Sequence, residues 1–302
     1  MRRQPERTPG KTIAVLGTKT IALRLVERLA EAGLGPAQLV TWDESDDVRS
    51  RHADLEAACA RLGVPFTSVR RSVDAYAAIR AGNPQVVFVA GWYRLIPDDI
   101  LNAVPQGFVG AHYSPLPRYR GSAPVVWQLI NGEAEIGFSL FRLGSGMDEG
   151  ELAGGGLVPA GTGYVGEVLD RLDDAALDEF VRIAPSLADG THVFRPQPSG
   201  RPSYCSMRTP SDGHIDWASS ATEIVRAIRA QSHPYPGAWS TSGETEVRMW
   251  RASVEDTADY SGVPGHVVRL IGDTAVIACG GNGGVLIEEF DGPRLGLASR
   301  LH

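Results

Sequence analysis

One short segment, Gly110–Pro124 (GAHYSPLPRYRGSAP), concentrates residues able to do acid–base chemistry. His112 follows the apolar pair Phe108 and Val109, and two prolines then forbid further strand pairing. A histidine there stands at a strand exit, facing a crevice rather than a core. Its imidazole can polarise a carbonyl or move a proton near neutral pH; it can equally be a hydrogen-bonded loop residue. A second strand exit, Leu143–Glu149 (LGSGMDE), carries Asp148, which can orient His112, accept a proton or cap a turn. The two lie 36 positions apart, room for a helix and a returning strand, so both reach one edge of a sheet.

Other catalytic signatures are missing from the sequence. The turn GTKTIA keeps only Gly17 of the three glycines a dinucleotide fingerprint needs, so it reads as a tight strand-to-helix turn. There is no P-loop, no nucleophile elbow and no HExxH helix. Cys59, Cys205 and Cys279 are too far apart for a zinc knuckle or a redox pair, which predicts a reduced, cytoplasmic protein without a metal.

The elements that must position His112 and Asp148 emerge from hydropathy. Thr12–Gly17 (TIAVLG), Ala37–Trp42 and Gln85–Gly91 are short apolar runs suited to buried parallel strands. Between them, Ile21, Leu25 and Leu29 mark one face of a helix, with Gly33 placed to cap it. Asp54–Leu62 and Val73–Ala81 read as helices ending at Gly63 and Gly82. This alternation predicts a doubly wound α/β sheet, which binds ligands beyond the carboxyl ends of its strands. The segments leaving those ends are Trp92–Pro97, Ala111–Gly121 and Leu143–Gly150. The loop Gly144–Gly150 is glycine-rich and three more glycines follow at 154–156, which predicts a mobile loop around Asp148.

A helix-rich stretch, Val165–Leu187, precedes a loop dense in Pro, Ser and Gly from Phe194 to Gly213, which marks a boundary. Beyond it come one amphipathic helix, Ser219–Gln231, and short strands at Glu246–Trp250, His266–Ile271, Thr274–Ala278 and Gly284–Phe290. Short strands with glycine turns suggest a small barrel. The expected division is residues 1–205 and 206–302, in keeping with a length of 302. The net charge is −7, and from Cys205 onward 8 arginines face 12 acidic residues, a net of −4. Phosphate neutralisation supplies most nucleic-acid affinity, so that balance argues against such a partner. No apolar run is long enough to cross a bilayer, and the basic N-terminus lacks the apolar core of a secretion signal.

With these residues in view, the chain resembles the tetrahydrofolate-dependent formyltransferases, which include methionyl-tRNA, glycinamide ribonucleotide, sugar and amino-acid N-formyltransferases. The family pattern runs roughly N-x-H-x-S-L-L-P-x-x-R-G-x-x-P, then a helix, then a loop ending in D-x-G. This chain has GAHYSPLPRYRGSAP, VVWQLINGE and MDEG. VAGWYRLIP (Val89–Pro97) is similar to the family's pterin-pocket segment. DGHIDWASSATEIVRAIRAQSHPYPGAW resembles the second domain of the methionyl-tRNA and sugar enzymes.

The resemblance implies a Rossmann-like catalytic domain and, after it, a small β-rich, OB-like domain. It also implies transfer of a formyl group from 10-formyltetrahydrofolate, as co-substrate, to a primary amine. His112 would then stabilise the developing oxyanion and Asp148 would hold it and carry the proton away. Trp92, Tyr93, Arg94, Leu95 and Ile96 would hold the pterin, with Leu143, Gly144 and Met147 closing over it. Arg118 and Arg120 would brace the loop. The acidic second part favours a small-molecule amine over tRNA, and an oligomer is compatible.

One position departs from the pattern. The family's asparagine two residues before the histidine, which donates to the formyl oxygen, is Gly110 here. Losing one such donor costs about 10²–10³ in rate. Tyr113, bulkier than the family's usual residue, is a candidate for the missing catalytic donor. Besides an N-formyltransferase, two readings stay open. One is a same-fold enzyme that hydrolyses formyltetrahydrofolate or transfers another one-carbon unit; the other is a relative that binds folate or amine without turnover.

Overall fold

The computed structural model describes residues 13–44, 51–256 and 260–302, so Thr12, the expected start of the first strand, lies outside the described residues. In chain order the first elements are β1 (Ile13–Gly17), α1 (Lys19–Glu31), β2 (Gln38–Trp42), α2 (His52–Leu62), β3 (Phe66–Val69), α3 (Ser72–Gly82) and β4 (Val86–Ala90). Next come α4 (Asp98–Leu101), β5 (Phe108–His112), β6 (Arg120–Gly121), α5 (Pro124–Ile130), β7 (Glu135–Arg142), β8 (Leu152–Pro159), α6 (Val165–Asp189) and β9 (Tyr204–Cys205). The remainder comprises α7 (Ala221–Gln231), β10 (Ala238–Ser242), β11 (Thr245–Glu255), β12 (Val267–Ile271), β13 (Thr274–Ala278) and β14 (Gly284–Asp291). The chain divides into two compact units. One is built from residues up to Arg118 with Gly137–Gly156 and Asp173–Pro202, the other from Tyr119–Ile136, Leu157–Leu172 and Ser203–His302.

The large sheet has the order β3-β2-β1-β4-β5-β7-β8. Strands β1 to β5 pair in parallel, and β7 runs antiparallel to β5. Every residue of β1 and β4 is buried, as expected of central strands covered on both faces. Helix α1 buries Ala22, Leu25, Val26 and Leu29, a stripe of one helical period. Helix α2 closes on Gly63 in the left-handed region, as its sequence demands. Helix α3 instead keeps Gly82 as its last residue and hands the left-handed position to Asn83. The glycine serves packing there: a β-carbon on Gly82 would lie 2.2 Å from the Gln38 amide nitrogen.

The glycines at 154–156 lie beyond the glycine-rich loop. They form the middle of β8. A β-carbon on Gly155 would sit 2.6 Å from the Phe138 carbonyl oxygen, and one on Gly156 would sit 2.9 Å from the Phe138 ring. Bare backbone is what lets this strand lie close against Phe138. Strand β3 carries no apolar run the sequence could announce, and its pairing with β2 supplies its order.

The second unit holds an antiparallel sheet, β10-β11-β14-β13-β12. Its core gathers Ile224 and Ile228 of α7 with Val247, Met249, Ile277, Val285 and Ile287. Ser220 and Glu223 form a reciprocal capping box that starts α7. The last residues join both sheet edges: Leu301 bridges to Ser242 on β10, and Arg300 bridges to His266 beside β12. Covering two edges with one segment draws the sheet toward the expected small barrel. Among the described residues, no helix is long and apolar enough to cross a membrane.

Candidate active site

Strand β5 delivers His112 to the carboxyl edge of the sheet, opposite Ser139 of β7. The backbone turns at once, with the Ser114 amide donating to the His112 carbonyl over 2.8 Å. Ser139 pegs the turn from β7. Its buried hydroxyl donates to the Ser114 carbonyl (2.8 Å) and accepts from the Leu116 amide (3.1 Å). Pro115 packs against β7 only because residue 137 is glycine; a β-carbon there would lie 2.5 Å from the proline ring. The Ser-Pro motif is therefore read by two residues of the next strand.

The His112 ring packs edge-on against Phe141, with centroids 6.4 Å apart. Its Nδ1 lies 3.7 Å from the Asp148 carboxylate, and the two side chains are 11% and 21% exposed. That is ion-pair range, and a small rotation of either group closes it to a hydrogen bond. Asp148 itself has φ +52°, in the left-handed region where Asp and Asn are the most tolerated non-glycine residues. Gln197 holds this conformation, its Nε2 donating to the carbonyls of Asp148 (2.6 Å) and Gly150 (3.0 Å). Gln197 lies in the turn-dense segment after α6, where no local pattern distinguishes it.

Beside this pair opens a cavity of about 350 Å³. Its lining brings together the expected Trp92, Arg94, Leu95, Ile96, Leu143, Gly144 and Met147, and Asp148 completes it. The Trp92 loop is anchored by the Tyr76 hydroxyl, which donates to the Leu95 carbonyl over 2.6 Å. Trp92 packs edge-on against Trp42, and the Arg94 guanidinium lies 3.3 Å from the Trp42 ring centre. Tyr93 is not part of the cavity. It is 61% exposed and donates its hydroxyl to Glu44. Arg120 does not line the cavity either; it is buried and donates to the Tyr204 hydroxyl over 3.3 Å.

Gly110 on β5 and Tyr113, one residue past its end, face different cavities. A β-carbon on Gly110 would point at Leu143, in the wall of the cavity that Asp148 completes. Tyr113 lines a second cavity and donates its hydroxyl to Asp173 of α6. Burial, reinforced by the charge and hydrogen bond of Asp173, pushes the Tyr113 phenol far above its ordinary value, so it remains a proton donor. The structure thus brings His112 and Asp148 together and bonds the Tyr113 hydroxyl to Asp173.

Likeness to known proteins has the same outline. The family description "Formyl transferase" matches residues 11–160, and "Formyl transferase, C-terminal domain" matches residues 208–294. A methionyl-tRNA formyltransferase of Clavibacter sepedonicus is 33% identical over 266 residues, covering 86% of each chain. The structure of HypX from Aquifex aeolicus in complex with tetrahydrofolic acid matches with TM-score 0.66 and 18% identity. It covers 92% of this chain but 44% of that one, so the chain spans under half of HypX. An N-formyltransferase from Helicobacter canadensis, in complex with folinic acid and dTDP-3-aminofucose, matches with TM-score 0.66 and 15% identity over 96% and 99% of the two chains. These two structures share the fold. The two family matches and the sequence relative go further: the chain belongs to the formyl transferase family, enzymes that transfer formyl groups.

Proposed function

We propose that this protein transfers the formyl group of 10-formyltetrahydrofolate to a primary amine of a small molecule. The observation that carries this reading is the His112–Asp148 pair, 3.7 Å apart, with Asp148 in the wall of a mostly apolar cavity at the sheet's carboxyl edge. Flat apolar walls from Trp92, Ile96 and Leu143 suit a pterin, and the anchored loop offers it backbone donors and acceptors. His112 donates to the formyl oxygen as negative charge develops there. Asp148 holds the imidazole and takes up the proton that the amine must lose. The amine nitrogen bonds to the formyl carbon, the bond to N10 breaks, and N10 gains a proton. Residues 1–205 carry this chemistry in the proposal, and residues 206–302 form the accompanying β-rich domain. Tyr113, whose hydroxyl is held by Asp173, is assigned to the acceptor side.

The net of −4 from Cys205 onward supports a small acceptor. The Clavibacter relative favours a second acceptor, methionyl-tRNA. Gly110, which offers no side-chain donor to the formyl oxygen, favours a second reaction, hydrolysis of the formyl donor. One experiment tests all three. The protein is incubated with 10-formyltetrahydrofolate and either a panel of small primary amines or methionyl-tRNA, and products are tracked by mass spectrometry. Formylated small amine is the expected product; formyl-methionyl-tRNA alone, or free formate alone, overturns the reading.

A further inference from the structure

A third cavity, of about 140 Å³, lies wholly within the second unit, where α5, the turn Pro210–Gly213 and the segment after α7 meet. Val126, Pro210 and Pro236 give it apolar walls. A cavity of roughly 150 Å³ takes up benzene, so this one suits a body of about six carbons. None of its lining residues lines either of the other two cavities, and the proposed formyl transfer uses none of them.

Most polar groups at the wall are already spent. The Pro210 carbonyl accepts from Trp239 Nε1 over 3.0 Å, and the Pro236 carbonyl accepts from the Arg248 guanidinium. The Gln231 amide donates to the Ala227 carbonyl (2.9 Å) and accepts from Arg208 Nη2 (2.7 Å). Two donors are left. Arg208 Nη2 gives its other hydrogen to the Asp212 carbonyl (2.6 Å), so Nε and Nη1 keep hydrogens with no acceptor among the described residues. The Tyr235 hydroxyl has no partner among them either, and burial raises the phenol above its ordinary value, so it stays a proton donor at neutral pH.

The charge of Arg208 is also unmatched. Its guanidinium lies over the Trp127 ring, 4.9 Å from the ring centre. The Asp212 carboxylate acts on it from a distance but is turned to the Thr209 amide (2.6 Å) and hydroxyl (2.9 Å), in the capping box of the turn. Among the described residues no carboxylate forms an ion pair with Arg208. A half-buried cation and a phenol, both donors, beside apolar walls call for an anion of low charge: a carboxylate matches them, whereas a phosphate dianion would lose more hydration than one arginine repays.

From this arrangement we infer that the third cavity binds a small monocarboxylate with a compact apolar body. Arg208 and Tyr235 donate to the carboxylate, while Val126, Pro210 and Pro236 enclose the carbon skeleton. Such a ligand bridges three segments distant in sequence and stabilises the folded state by mass action.

The test uses the full chain at pH 7 with isovalerate and benzoate, each beside its neutral amide, and inorganic phosphate. Binding is followed by calorimetry and by thermal melts. Each acid should bind about tenfold or more tighter than its amide and raise the melting temperature, because hydrogen bonds to charged groups outweigh neutral ones. Arg208→Gln should abolish that preference. Tyr235→Phe removes a hydroxyl without a protein partner, so folding is retained, and it should weaken the acids about fivefold while leaving the amides within about twofold. Acids that bind no better than their amides, no binding at millimolar ligand, or preference for phosphate each overturn the site. A preference for the acids that Tyr235→Phe leaves intact puts the carboxylate elsewhere and overturns the assignment, even if Arg208→Gln fails to fold.

Discussion

Leu143 occupies the space into which a side chain at position 110 would grow. A β-carbon on Gly110 would lie 3.2 Å from Leu143 Cδ2 and 3.7 Å from its Cγ. Gly110 has no left-handed φ and sits in regular β5 pairing with Val89 and Phe141, so its backbone would accept other residues. The missing element at 110 is room, and Leu143 has taken it as part of the cavity wall.

This relationship fixes the outcome of restoring an amide. Gly110→Asn alone pushes Leu143 into the cavity and should lower the formyl-transfer rate about tenfold, with an overpacking cost of about 1–3 kcal/mol. Gly110→Asn combined with Leu143→Ala opens the space, and the amide can then donate toward the formyl oxygen. The double variant should be faster than Leu143→Ala alone. Steady-state rates with thermal melts of all four proteins check this; a single variant faster than wild type would show that the room was there.

His112→Asn and Asp148→Asn should each lower turnover by a factor of about 10² or more. Neither should unfold the protein. Both side chains are partly exposed, and Asn tolerates the left-handed backbone at 148, so the stability cost should stay under about 1 kcal/mol. Turnover near the wild-type rate in either variant would remove the pair from the chemistry.

Gln197→Glu tests the support beneath Asp148. The replacement keeps the shape but presents acceptors to two backbone carbonyls that need a donor. Turnover should fall about tenfold, with a stability loss of about 1–3 kcal/mol. Affinity for the folate should change little, because Gln197 does not line the cavity. The split between kcat and KM is the measurement.

The Tyr113 phenol has a folded-state pKa raised above the ordinary value near 10, by burial first and Asp173 second. A raised folded value means the group's contribution to stability is whole below pH 10 and is lost as pH climbs beyond it. Chemical-denaturation stability of wild type minus that of Tyr113→Phe should therefore be flat from pH 7 to about 9.5 and shrink above about 10. The alkaline limb of the rate profile below pH 10 should be the same in both proteins.

Binding of tRNA should be weak at physiological salt, with a shallow dependence of affinity on salt concentration. Filter binding across a range of salt concentrations checks this. A tight complex with a steep slope would show a segregated basic surface despite the net charge of −4 from Cys205 onward.

Local chemistry made much of this protein legible from sequence alone. Buried strands such as β1 and β4, the stripe of α1 and the cap at Gly63 all rest on residues within one or two turns of each other. His112 and Asp148 were also legible, because the residues around a strand exit mark it: prolines after the histidine and glycines on both sides of the aspartate. Tertiary structure decided whatever depended on a distant partner. Gln197 meets the Asp148 carbonyl across 49 positions, and Tyr113 meets Asp173 across 60. Pro115 needs Gly137, and Gly155 needs the Phe138 carbonyl; neither requirement is written in the neighbouring residues. Alternation sets the side of β5 that each residue faces, but not the group that waits there. Leu143 against Gly110 and Asp173 against Tyr113 are contacts made by folding, and they set which of the candidate groups stands beside the histidine.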